Sequence, residues 1–144
     1  MEALKMKIVV IDGQGGGLGR QVAEKILELL PKHELVCVGT NALATANMLK
    51  SGVKLAATGE NAAACAAADA DIIVGPIGIV IADSMLGEIT PRIALCVGRS
   101  SAVRVLIPVN HCSNIVAGVP SAPLSTLVSD AAQRIAEIAE KQAV

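Results

Sequence analysis

The chain has 144 residues, a net charge of −1, and no Phe, Trp or Tyr, so it is read as one domain whose single core is built from Leu, Ile, Val, Ala and Met. The near-neutral charge and the missing aromatic platforms argue against nucleic acid as a partner. Mean hydropathy is high at +0.60, yet charges or turn residues interrupt every stretch that approaches bilayer length, so no membrane span is expected.

In chain order, the β-branched run Ile8–Ile11 predicts a first strand. It ends in a loop with five glycines, within MKIVVIDGQGGGLGR. Leu18, Val22, Ile26 and Leu30 then recur at helical spacing, and Pro31 stops the helix. Glu34–Gly39 reads as a second strand. Thr40 is expected to cap a helix running to about Lys50, with Gly52 beyond it. Lys54–Thr58 reads as a short third strand and Glu60 to Ala68 as an alanine-rich helix. Asp71–Val74 reads as a fourth strand, followed by a Gly75-Pro76-Ile77-Gly78 loop. Ile79–Leu86 is apolar but has no decisive period. Thr90-Pro91 starts another helix, a cap followed by proline at the first helical position. Val103–Ile107 reads as a fifth strand and Ile115–Val119 as a short sixth. Leu124, Leu127, Val128, Ala131, Ile135 and Ile138 form the stripe of a final helix.

This alternation predicts an α/β fold, a single three-layer Rossmann-like domain over residues 1–144 with a mostly parallel sheet of about five strands. The expected strand order sets the first and fourth strands side by side at the topological switch point. The Gly13–Gly19 and Gly75–Gly78 loops then form opposite walls of one crevice.

Strand, glycine loop and helix together direct bare backbone N–H groups at an anion. Gly13, Gly17 and Gly19 fit G-x-x-x-G-x-G, which resembles the cofactor loop of short-chain dehydrogenases. The catalytic tyrosine of that mechanism is absent, so its chemistry does not follow. G-x-G-x-x-G fails because Leu18 stands at the third glycine position, and no Gly-Lys-Ser/Thr completes a P-loop. The candidate cofactor-binding residues are Asp12, Gly13, Gln14, Gly15, Gly16, Gly17, Leu18 and Gly19, with Thr40, Asn41, Gly75, Pro76, Ile77 and Gly78 across the crevice. The ligand is expected to be a nucleotide, NAD(P) or another. The alternative is a tight strand-to-helix turn that packs the helix and binds nothing.

The second strand ends Val38-Gly39-Thr40-Asn41, without the acid that binds ribose hydroxyls in a typical NAD site. Thr40 and Asn41 are the neutral groups available there. Asp12 beside a phosphate is repulsive unless a cation, with Glu60 or Asp83, intervenes; a loop-stabilising Asx bond is the preferred reading. Between Leu55 and Pro91 there is no Lys or Arg, and Arg20 is the nearest cation in sequence. His111 and Cys112 are adjacent, and neighbours on an extended chain point opposite ways, which argues against a dyad within one subunit. His33 reads as a surface loop residue. Cys37, Cys65, Cys96 and Cys112 have no zinc or redox spacing and read as core thiols, so no metal site is expected. No catalytic residues are assigned.

The segments IDGQGGGLG, GTNALAT, ATGENA, GPIGIVIADSMLGEITP and IPVNHC resemble a small bacterial family, domain of unknown function 3842, over nearly the whole chain. The resemblance implies a Rossmann-like domain and assigns no chemistry. The N-terminal MEALKMK has no signal-peptide core, and a cytoplasmic protein is expected. Its apolar excess is expected to cover contacts in a homo-oligomer. Two functions follow: a nucleotide-binding domain working through Gly13–Gly19, or a non-catalytic oligomeric scaffold without cofactor.

Overall fold

A computed structural model describes residues 5–109 and 113–142. In chain order the elements are β1 (Lys7–Asp12), α1 (Gly17–Leu29), β2 (Glu34–Gly39), α2 (Ala42–Leu49), β3 (Leu55–Thr58), α3 (Glu60–Ala68) and β4 (Ile72–Pro76), followed by a 3-10 turn (Ile77–Val80), α4 (Pro91–Arg99), β5 (Val103–Ile107) and α5 (Leu124–Gln142). The five strands form one parallel sheet in the order β3-β2-β1-β4-β5. The order reverses between β1 and β4, as the alternation of elements predicts.

Side chains alternate across each strand, so β1 feeds two cores. Ile8 and Val10 pack with Val22 and Ile26 of α1 and with Val128 and Ile135 of α5. Val9 and Ile11 face the other way, onto Ala63 and Ala67 of α3 and Ile93 and Val97 of α4. Covering both faces with helices explains why β1 and β4 read as unbroken apolar runs. None of the described helices is long and apolar enough to cross a membrane.

Four local features differ from the sequence reading. Leu30 lies beyond α1: it precedes Pro31, which disfavours helical backbone, and it has φ −133°. Asn41, not Thr40, caps α2, its side-chain oxygen accepting the Ala44 N–H at 2.8 Å. Thr40 still belongs to the β1 edge, with its N–H on the Asp12 carbonyl at 3.0 Å. Gly75 and Pro76 extend β4 to the register of Ile107, and Ile77 and Gly78 open the 3-10 turn. Ile115–Val119 forms no strand; it runs as an exposed bend and turn, with Ile115 92% exposed. Gly118 there has φ +78°, and Pro120 has no N–H for a ladder.

Candidate functional site

The β1–α1 loop turns within Gly13–Gly16, where the Gly16 N–H reaches the Gly13 carbonyl at 3.0 Å. Asp12, 5% exposed, sits beneath it. Its Oδ1 accepts the Gly13 N–H at 2.8 Å and its Oδ2 accepts the Gly19 N–H at 2.7 Å. Burial raises the Asp12 carboxyl above its ordinary range; the Gly19 and Gly13 N–H groups pull the other way without cancelling it. This is the loop-stabilising role expected of Asp12. From α2, Asn41 Nδ2 donates to the Gln14 carbonyl at 3.0 Å and Asn47 Nδ2 to the Gly15 carbonyl at 2.9 Å. These amides draw the loop carbonyls toward α2.

The five loop glycines divide into two groups. Three are explained by packing. Gly16 has φ +74°, and a Cβ there would lie 2.6 Å from the Ala44 carbonyl oxygen. At Gly19 a Cβ would meet Met48 Sδ at 2.5 Å, and at Gly13 it would meet Thr40 Oγ1 at 2.6 Å. Gly15 and Gly17 differ. Neither has left-handed backbone, and a Cβ on either would meet no described atom within 4 Å. The N–H groups of Gly15, Gly17 and Leu18 find no acceptor among the described residues.

Those residues border an open cavity of about 320 Å³. Asp12 to Leu18 form one wall, and Pro76, Ile77 and Gly78 the opposite one, as the topology predicts. Ile81, Ser84, Met85 and Leu86 add a third side, and Val109, Asn114 and Leu124 the remainder. No Lys or Arg is among these. An adjoining cavity of about 290 Å³ shares Ile77, Val109, Asn114 and Leu124 but continues along Ile115–Ala122 and contains none of the loop. The loop cavity is therefore the one that the N–H groups of Gly15, Gly17 and Leu18 border. Gly19 and Gly75 are outside it: Gly19 is packed on Asp12 and Met48, and Gly75 lies under the Ile11 carbonyl. Thr40 and Asn41 do not line it either.

Thr40 and Asn41 instead hold Glu88, a residue the sequence analysis missed. Glu88 Oε1 accepts from Gln14 N–H at 2.8 Å, Thr40 Oγ1 at 2.7 Å and Asn41 Nδ2 at 2.7 Å. Desolvation raises its carboxyl, but these three donors outweigh that and hold it below the ordinary glutamate range. An acid thus does stand at the carboxyl end of β2, supplied from the segment before α4. No local pattern around Gly87-Glu88-Ile89 encodes a contact to residues 40 and 41, so only the tertiary fold reveals it.

The other candidates disperse. Arg20 pairs with Glu24 at 2.8 Å. Glu60 pairs with Arg92 at 3.4 Å rather than joining Asp12, and Asp83 is exposed. His33 is half-buried, its Nδ1 accepting the Met6 N–H at 2.9 Å, which ties the β2 entry to the start of β1. Among the described cysteines, only Cys37 is a core thiol; its burial, with Asp12 nearby, pushes it up to about 12. Cys65 is exposed and Cys96 half-buried. His111 and Cys112 lie outside the described residues. Among the described residues no three His, Cys, Asp or Glu cluster as metal ligands.

Comparison with known proteins gives one match. The family model described as a domain of unknown function, DUF3842, matches residues 7–140. No curated protein and no solved structure matches the chain.

Proposed function

The chain belongs to the DUF3842 family, and we propose that it is a nucleotide-binding protein that holds a phosphate on the Gly13–Gly19 loop. The observation that carries this reading is the pair Gly15 and Gly17. Packing accounts for the other three loop glycines, but nothing in the fold requires glycine at these two. Bare backbone there leaves room for a ligand to approach N–H groups at the start of α1, where the helix dipole favours an anion. The opposite wall, Pro76 to Gly78, supports the same reading, because ligands of open α/β sheets bind at the switch point. With no Lys or Arg in the lining, the anion is met by backbone alone. A nucleotide is the ligand class proposed, with NAD(P) among the candidates to be tested, and no reaction is assigned.

Thermal unfolding with NAD, NADP, ATP, FAD and their monophosphates tests this. A ligand specific for the folded state stabilises it by about 2.7 kcal/mol at a hundredfold excess over Kd. Gly17→Val should fold and lose the shift, since the position has no left-handed backbone to strain. An equal shift in that variant moves the ligand elsewhere. The chain has no Trp, Tyr or Phe, so a nucleobase or flavin band in the purified protein reports a carried ligand directly.

A second reading, an oligomeric scaffold without cofactor, draws on Leu86 and Ile115, which are 94% and 92% exposed. Absence of any thermal shift and of any carried chromophore favours it.

A further inference from the structure

The chain from Ile81 to Ile89 lies as a strap beside the glycine loop. Asp83, Met85 and Leu86 have φ of 66°, 55° and 55°, the left-handed region that side chains with a Cβ rarely adopt. Such backbone persists only where surrounding contacts hold it. Local bonds hold the segment, the Asp83 N–H on the Ile89 carbonyl and Ser84 Oγ on the Gly78 carbonyl, and Glu88 anchors it: one oxygen takes donors from Gln14, Thr40 and Asn41, joining the strap to the ends of β1 and β2. The fit is close, since a Cβ on Gly13 would lie 2.9 Å from Met85 Sδ and 3.0 Å from Glu88 Oε1. Gly13 is therefore small for the strap, not for a ligand.

In dinucleotide-binding sheets the carboxyl end of β2 faces a ribose. Here the protein's own Glu88 uses the donors at that end. Open space remains on the β1–β4 side: the 320 Å³ beside the loop is at the lower end of ligand cavities, which run from about 300 to 1,000 Å³, and the adjoining 290 Å³ continues along Ile115–Ala122, not toward Thr40 and Asn41. We infer that Glu88 is the specificity-determining residue of this site: it closes the β2 end and favours a compact phosphorylated molecule of mononucleotide size over a dinucleotide laid across that end. The inference rests on the reading that the ligand's phosphate sits on the glycine loop. The Glu88 carboxylate also repels any second phosphate brought to Thr40 and Asn41.

Calorimetric titration of the full chain with inorganic phosphate, AMP and NAD tests it. The wild type is expected to bind AMP at least as tightly as NAD. Glu88→Ala, which frees the three donors, is expected to improve NAD relative to AMP by tenfold or more. Glu88→Gln keeps an acceptor oxygen but loses the charge, and should fall between the wild type and Glu88→Ala. Wild-type binding of NAD more tightly than AMP overturns the inference and leaves the glycine-loop reading standing. So does an unchanged NAD-to-AMP ratio in a Glu88→Ala protein that melts cooperatively. If Glu88→Ala does not fold, the wild-type ratio alone decides. Binding of none of the three probes removes both readings.

Discussion

Asp12 Oδ2 accepts the backbone N–H of Gly19 at 2.7 Å, so the last residue of β1 caps the first turn of α1 from below. The same carboxylate takes the Gly13 N–H, and both bonds are buried. Asp12→Ala leaves two buried donors without an acceptor, while also removing a carboxylate that burial disfavours. The lost bonds outweigh that relief, and a net cost of about 1–3 kcal/mol is expected, measurable by urea unfolding with an unchanged m-value.

Gly19 and Gly17 lie two residues apart and should respond oppositely. A methyl at Gly19 runs into Met48 Sδ and the Asp12 side chain, which should cost about 1–3 kcal/mol through overpacking. A methyl at Gly17 meets open space, so Gly17→Ala should be neutral or stabilise by up to about 1 kcal/mol by restricting the unfolded chain. Equal destabilisation by both would refute the division of the loop glycines into packed and open positions. Measured melting temperatures of the two variants decide it.

Asn41 and Thr90 are both helix caps. Each accepts a helix N–H as an N-cap, Ala44 for Asn41 and Ile93 for Thr90. Asn41 also donates to Glu88 and to the Gln14 carbonyl. Thr90→Ala should cost about 1 kcal/mol. Asn41→Ala should cost more, and it should speed amide exchange at Gln14, which the loss of a cap alone would not.

Stability should depend on pH through two carboxyl groups of opposite sign. Glu88 is held below its ordinary value of 4.5; its contribution is present above that value and is lost as pH falls through its lowered folded pKa. Asp12 is held above its ordinary value of 3.8, with the Glu88 charge adding to the rise; its contribution is present below that value and is lost as pH rises through its raised folded pKa. The stability gap between wild type and Glu88→Gln should therefore narrow on acidification below about pH 4.5. A gap independent of pH counts against the Glu88 bonds.

Leu43, Leu86 and Ile115 expose 69%, 94% and 92% of their surface, and we expect a homodimer or larger in solution. Sedimentation with only monomer at micromolar concentration contradicts this. If a dimer forms, Leu86→Asp and Ile115→Asp separately identify which of the two side chains carries the contact.

The sequence by itself determined five strands, five helices and their parallel sheet among the described residues, while the sixth strand read at Ile115–Val119 does not form. The Val and Ile runs of β1 and β4 have no polar face, so they require cover on both sides, and the intervening helical stripes supply it. It also located the loop and its facing wall, because both follow from strand order. Local pattern failed where two chemically similar neighbours competed. Thr40 and Asn41 are both good caps, and only the position of Glu88 decides that Thr40 is used elsewhere. Likewise, five glycines look alike in one dimension. Which of them touch Ala44, Met48 and Met85, and which face open space, depends on chains brought together from distant positions. Glu88 reaches the end of β2 across 47 and 48 residues. Side-chain hydrogen bonds at that separation leave no period in the sequence, so the acid at this edge belongs to the tertiary structure alone.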